Sequence, residues 1–300
     1  MMSEGQQKVN LFVVGAMKAG TTSFVDWLKT HPQIYIPPIK EPNYFVEEIS
    51  KQLYQPSRFF DLAGYFKKDF PTELHIANLS SSEQYRKLYS LAERQKYRVD
   101  ASTMYLHAPG TASRIADYNQ QARILILLRD PYKRMYSHYK MLVGLSRETR
   151  TFQHVVQEEV AAYHAGNLPW DSLLNMSCYK STIALYKQNF SQVMVINLKQ
   201  LINNRPDMGI RLQAFLGLDS PMEGTLPHDN QSRLPISGKF FYYLNRMGVK
   251  DLFSLLFSSR FKRALYRILS KEPTATPELS SELRLELEAI FKLESPGESS

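Results

Sequence analysis

One cysteine in 300 residues, Cys178, leaves no internal disulfide to be made and gives the chain no reason to fold in an oxidising compartment. By itself it reads as a small packed residue rather than a nucleophile. No apolar run approaches the roughly 20 residues that a membrane-spanning helix needs. The opening residues, Met1 to Lys8, are polar and lack the charged start, apolar core and small-residue cleavage site of a secretory leader. Internal repeats and long low-complexity linkers are missing too, as is any close cluster of His, Cys, Asp and Glu at metal-ligand spacing. Together these absences lead us to expect a cytoplasmic enzyme without a metal. The 37 Lys and Arg outnumber the 29 Asp and Glu, a formal charge of +8, which favours anionic ligands. A nucleotide, an acidic glycan, a nucleic acid and a membrane surface all share that property, so charge alone does not choose among them.

What the chain does have is concentrated in Leu11 to Leu28, LFVVGAMKAGTTSFVDWL. Four apolar residues read as a buried strand, a loop is bracketed by Gly15 and Gly20, and apolar residues recur at helical spacing from Thr21. Glycines allow a sharp turn with backbone N–H groups facing inward, and a helix N-terminus adds unpaired donors and a positive dipole end. Such a turn holds phosphate or a similar oxyanion. The spacing approaches the nucleotide-binding pattern GxxxxGK[ST], but Thr21 stands where the lysine belongs, and the lysine of the stretch, Lys18, lies inside the loop.

Further along, His31 to Phe45 reads as a short β-prone strand bounded by proline-stiffened turns, with Lys40 and Glu41 side by side within it. The stretch 47–80 is rich in aromatics and poor in periodicity, which reads as an irregular packed excursion. A helix is expected over Ser82 to Gln95 with Ser81 or Ser82 as cap, a strand over Val99 to Leu106 and a helix over Thr111 to Asn119. The five apolar residues within Arg123 to Arg129 read as a central parallel strand. Alternating strands and helices predict an α/β fold, a phosphate-loop protein with a central, mainly parallel sheet and helices on both faces. In such sheets ligands sit beyond the carboxyl ends of the strands, where both Lys18 and Arg129 fall. Pro131 then opens a helix whose first turns carry Arg134, Ser137 and Tyr139, so Arg129 with these residues reads as a second anion site. Two such sites predict a ligand phosphorylated at two places.

LFVVGAMKAGTTSF, KEPNYF and RDPYKRMYSHY together resemble the sulfotransferases that use 3′-phosphoadenosine 5′-phosphosulfate, in particular the heparan-sulfate-type and bacterial carbohydrate branch with its KxGTTxL, KEPxFF and RDPxxRxxSxY patterns. The likeness covers residues of about 10 to 220. It implies that Lys18, Ala19, Gly20, Thr21, Thr22 and Ser23 grip the 5′-phosphosulfate while Arg129 and Ser137 bind the 3′-phosphate. It implies Glu41 as general base and adds Tyr179 near the donor, although Cys178 replaces the glycine that usually precedes that tyrosine. Asn230 to Lys239, with Arg233 and Lys239, loosely resembles the family's basic loop over the donor. His107 is the rival base, since histidine titrates near neutral pH.

The second half predicts a helix over Ser177 to Asn189, a strand over Gln192 to Asn197, a helix over Met208 to Phe215, an amphipathic basic helix over Lys250 to Lys271 and a last helix over Glu278 to Leu293. Residues 8–300 are expected to form one domain with a helical part at 240–300. The expected reaction moves a sulfuryl group to a hydroxyl, or in second place an amine, of a saccharide or saccharide-bearing acceptor. A nucleotide-dependent kinase or NTPase is the first alternative. Against it stand Thr21 in the lysine position and Arg129 beside Asp130, an arrangement that offers no clean magnesium-binding acid at a strand end. A non-catalytic anion- or glycan-binding relative is the second.

Overall fold

The computed structural model describes residues 8–224, 234–235, 270–271, 277 and 279–294. β1 (Leu11–Gly15) leads through a tight loop into α1 (Thr21–Leu28), followed by β2 (Ile34–Tyr35) and β3 (Ile39–Glu41). A short turn of helix, α2 (Leu62–Gly64), continues as a π-helical turn over Tyr65–Asp69 and precedes β4 (Leu74–Ile76) and α3 (Ser82–Leu88). Then come β5 (Tyr97–Asp100), α4 (Thr111–Asn119), β6 (Arg123–Leu128), α5 (Pro131–Gly144) and α6 (Phe152–His164). α7 (Lys180–Asn189), β7 (Val193–Asn197), α8 (Leu198–Asn203) and α9 (Arg205–Leu216) follow. Beyond them lie the strand pair β8 (Leu234–Pro235) and β9 (Ser270–Lys271), and α10 (Ser281–Glu294).

Among the described residues the main sheet runs β2-β5-β1-β6-β7, with every neighbouring pair parallel. β1 is buried along its whole length and β6 from Ile124 to Leu128, as a parallel strand covered on both faces requires. From β1 the chain goes to β2 at one edge and returns through β5, and only then crosses to β6 on the other side. The carboxyl ends of β1 and β6 therefore flank the point where the winding reverses, which is where such sheets hold ligands. β3 and β4 form a separate parallel pair in the register Ile39 to Leu74 and Glu41 to Ile76. A second apolar cluster joins α5, α6 and α10 through Met135, Leu142, Val156, Leu283 and Leu287.

Side chains explain where elements stop. The expected strand over Val99 to Leu106 ends at Asp100, because Asp100 Oδ1 accepts from the Ser102 N–H at 3.2 Å and hydroxyl at 2.7 Å and turns the chain. The helix after Ser81 ends at Leu88 instead of Gln95; Tyr89 leaves it and donates its hydroxyl to Val99 O at 3.2 Å. α6, which the sequence reading passes over, is capped by Thr151 Oγ1 accepting from His154 N at 3.3 Å. Ser270 and Lys271 pair in β9 rather than ending a helix; the rest of the basic segment from Lys250 lies outside the described residues. No helix among the described residues is long and apolar enough to cross a membrane.

Gly15 carries φ +151°, and a Cβ built there would lie 2.9 Å from both Thr103 O and Leu106 Cβ. The backbone of the 103–106 turn closes over it. Gly15→Ala is therefore expected to destabilise the fold by roughly 2 kcal/mol or more. Urea unfolding of the two proteins measures this; a difference within about 0.5 kcal/mol, the usual size for an innocuous substitution, would show that the turn yields freely.

Candidate active site

The loop from Ala16 to Gly20 is clamped by two arginines. Arg129, at the carboxyl end of β6, donates from Nη1 to Lys18 O at 3.0 Å, and Arg134, one turn into α5, donates from Nε to Met17 O at 3.0 Å. Two consecutive carbonyls are thereby occupied, with Lys18 at φ 70°. Gly20 begins α1 at φ 80° with no side-chain cap, so the first-turn amides of Thr21, Thr22 and Ser23 keep the donors that a helix start leaves over. An αL residue next to a helix N-terminus forms an anion-binding concavity.

Arg134 is completely buried. Its Nη1 donates to Leu173 O and Ser177 Oγ, both at 2.9 Å, and its Nη2 meets His138 Nδ1 at 2.9 Å. Burial lowers it to about 10, so it remains a cation at neutral pH. Asp130 caps α5 by accepting from Lys133 N at 2.8 Å, which leaves the neighbouring Arg129 for the loop.

Across the loop, β3 brings up a carboxylate. Glu41 Oε2 accepts from Thr103 Oγ1 at 2.9 Å, and Glu41 Oε1 accepts from Lys40 Nζ at 3.0 Å. The same ammonium donates to Thr22 Oγ1 in α1 at 3.3 Å. His75 Nε2, from β4, stands 3.6 Å from Glu41 Oε1. Burial by itself would raise the Glu41 carboxyl. The Lys40 and His75 charges and the hydrogen bonds from Lys40 and Thr103 outweigh it, so the group titrates below its ordinary 4.5.

The profile of the sulfotransferase family matches residues 10–221. The chain belongs to that family. A sulfotransferase from Alicyclobacillus acidocaldarius of known structure is 28% identical, with a TM-score of 0.56 over 82% of this chain and 93% of that one. The membrane-associated sulfotransferase kil1 of Dictyostelium discoideum is 30% identical over 156 residues, 50% of this chain and 28% of kil1. Human carbohydrate sulfotransferase 15 is 22% identical over 201 residues, 58% of this chain and 34% of that protein. The chain thus spans about a third of the length of these two relatives.

Within this member of the family, the residues singled out from sequence fall into two groups. Lys18, Gly20, Thr21, Thr22, Arg129 and Glu41 converge on the loop and on β3, joined by the contacts above; Ser137 lies on the inner face of α5 and is buried. Tyr179 is buried and donates its hydroxyl to Arg129 O at 3.1 Å, so it touches the strand end through the backbone of that arginine. His107 is different: buried, it meets Cys178 O through Nε2 at 3.0 Å, and burial with the nearby Arg134 lowers it to about 3. It is a neutral packed imidazole, not an accessible base. Cys178 is buried too, its thiol pushed up to about 12. Arg233 and Lys239 lie outside the described residues. Sequence reasoning missed His75 and Thr103; the only signal for His75 is a histidine in a short apolar run near the end of the aromatic stretch.

Lys40 is 12% exposed and Glu41 8% at their side chains, so Lys40→Met would strand a buried carboxylate. The expected cost is about 3 kcal/mol at pH 7. A carboxyl held below its unfolded value stabilises the fold above that value and stops doing so as pH falls through its folded value. The gap between wild type and variant should therefore be widest near neutrality and narrow towards pH 4 in urea unfolding, where Glu41 becomes protonated. A gap independent of pH would show that Lys40 acts through packing alone.

Proposed function

We propose that this sulfotransferase moves a sulfuryl group from 3′-phosphoadenosine 5′-phosphosulfate to a hydroxyl, or in second place an amine, of a saccharide or saccharide-bearing acceptor. The observation that carries the reading is Lys40 bridging Thr22 of the loop helix to Glu41. One cation ties an oxyanion cradle to a carboxylate, so the groups needed to receive a leaving phosphate and to accept a proton are neighbours. The cradle fits the donor: the clamped loop and the uncapped first-turn amides of α1 suit a phosphosulfate, while Arg129 at the neighbouring strand end and Ser137 on α5 suit a 3′-phosphate.

When bound, the donor supplies the sulfuryl group and a phosphate leaving group. Lys18 and the amides of Gly20 to Ser23 neutralise charge that builds on the bridging oxygen, an effect present mainly in the transition state. The proton-accepting side of the site is the one that Glu41 occupies, where a general base contributes about 10² to 10⁴ in rate. The saccharide class of acceptor is supported by the carbohydrate sulfotransferase among the relatives and by the net charge of +8.

Thermal unfolding with adenosine 3′,5′-bisphosphate, adenosine 5′-phosphate and ATP with magnesium tests the donor. At about 100 times its dissociation constant the bisphosphate should add roughly 2.7 kcal/mol and raise the midpoint by several degrees. Stabilisation by ATP with magnesium alone would replace this reading with a kinase or NTPase. In turnover assays with the phosphosulfate donor, Lys18→Ala should lose at least about 10²-fold in kcat while its unfolding midpoint stays near that of wild type. Near-normal turnover would remove Lys18 from the chemistry.

A further inference from the structure

Glu41 is well placed to be a charge and badly placed to be touched. Oε2 is taken by Thr103 and Oε1 by Lys40, and the side chain is 8% exposed. Those partners that keep it ionised also make it a weak base, since proton-accepting strength falls as the pKa falls. His75 is the reverse. Its side chain is 61% exposed, its Nε2 stands 3.6 Å from Glu41 Oε1, and no hydrogen bond to its ring lies within 3.5 Å among the described residues. The parallel register that pairs Glu41 with Ile76 fixes β4 alongside the carboxylate, one residue from the histidine. Four charged groups face the imidazole: Glu41 and Lys40 from β3, Lys18 from the loop and Asp26 from α1. Within β4's approach, Glu73 is paired with Lys29 at 2.6 Å and turned to that partner.

We propose that His75 is the catalytic residue that takes the acceptor's proton, with Nε2–H directed at Glu41 and Nδ1 open to the acceptor. This rests on the sulfuryl-transfer reading and refines it, placing the Glu41 carboxylate behind the imidazole. The acceptor oxygen gives up its proton to Nδ1 as it forms the new O–S bond. The old bond from sulfur to the 5′-phosphate breaks with its electron pair remaining on that phosphate, beside Lys18. Glu41 stabilises the imidazolium that results, and its proton then passes to solvent. Loss of hydration, with Lys40 and Lys18 nearby, holds the imidazole below its ordinary 6.5 against the pull of Glu41, so at neutral pH the ring is ready to accept.

The test uses the whole chain with the phosphosulfate donor and a panel of unsulfated heparosan and chondroitin oligosaccharides. His75→Gln should lose about 10²-fold or more in kcat/KM while its affinity for adenosine 3′,5′-bisphosphate is kept. The acid limb of the wild-type profile, with its midpoint below 6.5, should move to lower pH in that variant. Added imidazole should restore turnover to His75→Ala, which a merely structural role does not predict. In the free protein, an NMR titration of His75 should shift further down in Glu41→Gln, because the carboxylate is what raises it. Full activity of His75→Gln with an unmoved acid limb, or a His75 titration indifferent to Glu41→Gln, overturns the inference and leaves Glu41 to act directly. Failure of the functional reading looks different: wild type itself would neither bind the bisphosphate nor turn over, and the inference would fall with it.

Discussion

The site depends on a cation that never reaches solvent. Arg134 is buried among neutral acceptors, and among the described residues no carboxylate lies within ion-pair distance of it. Removing a guanidinium from water costs several kcal/mol, and the cost is offset only because nearly every donor of the fork finds an oxygen or nitrogen. Those partners belong to different segments: the loop after β1, the 173–177 turn and α5 itself. One side chain therefore fixes the distance between the loop and the helix that carries Arg129's strand end. An ammonium in its place would hold fewer of these contacts at fixed angles.

With the Lys18 and Met17 carbonyls committed to Arg129 and Arg134, the loop is fixed against the end of β6 and the start of α5. The Asp100 network does the corresponding work for the acid. Asp100 accepts from Tyr85 at 2.9 Å, Tyr105 at 2.8 Å and Ser102 at 2.7 Å, and Ser102 Oγ in turn accepts from Asn43 N at 2.9 Å. Burial raises Asp100 to about 6 despite these bonds. The turn it organises holds both Thr103, the partner of Glu41, and the chain just after Glu41, so the carboxylate is placed from two sides by groups that take no part in chemistry.

Much of this was legible in the sequence where a residue type answers a backbone demand. Gly15 and Gly20 announce the loop because positive φ and close backbone approach admit little else, and Pro131 after Asp130 announces α5 by its cap. The apolar run of β6 is legible because a strand covered on both faces has no polar phase. α6 was equally open to reading, with Phe152, Val155, Val156 and Val160 at helical spacing behind Thr151. His75 was not: β4 is three residues long, its inward and outward positions barely alternate, and its importance comes from a register with β3 that no local pattern encodes. His107 misled for the converse reason, since a histidine looks the same in sequence whether it faces solvent or, as here, a carbonyl in the core.

An anion bound at the loop changes the electrostatics of both Glu41 and His75. Against the cost of burial, the charges of Lys40 and His75 and the hydrogen bonds from Lys40 and Thr103 keep Glu41 low, and loss of hydration with Lys40 and Lys18 nearby keeps His75 low. Any anion seated at the loop adds negative potential at both groups and competes for Lys40, which now serves Glu41 and Thr22 together. Both effects raise the proton affinity of the carboxylate and the imidazole. In the proposed reaction a site built this way is a feeble base alone and a stronger one once an anionic donor is in place, so its base strength rises as the donor binds. The coupling needs no moving part, because Lys40 sits at the junction of the two halves and its charge is shared between them.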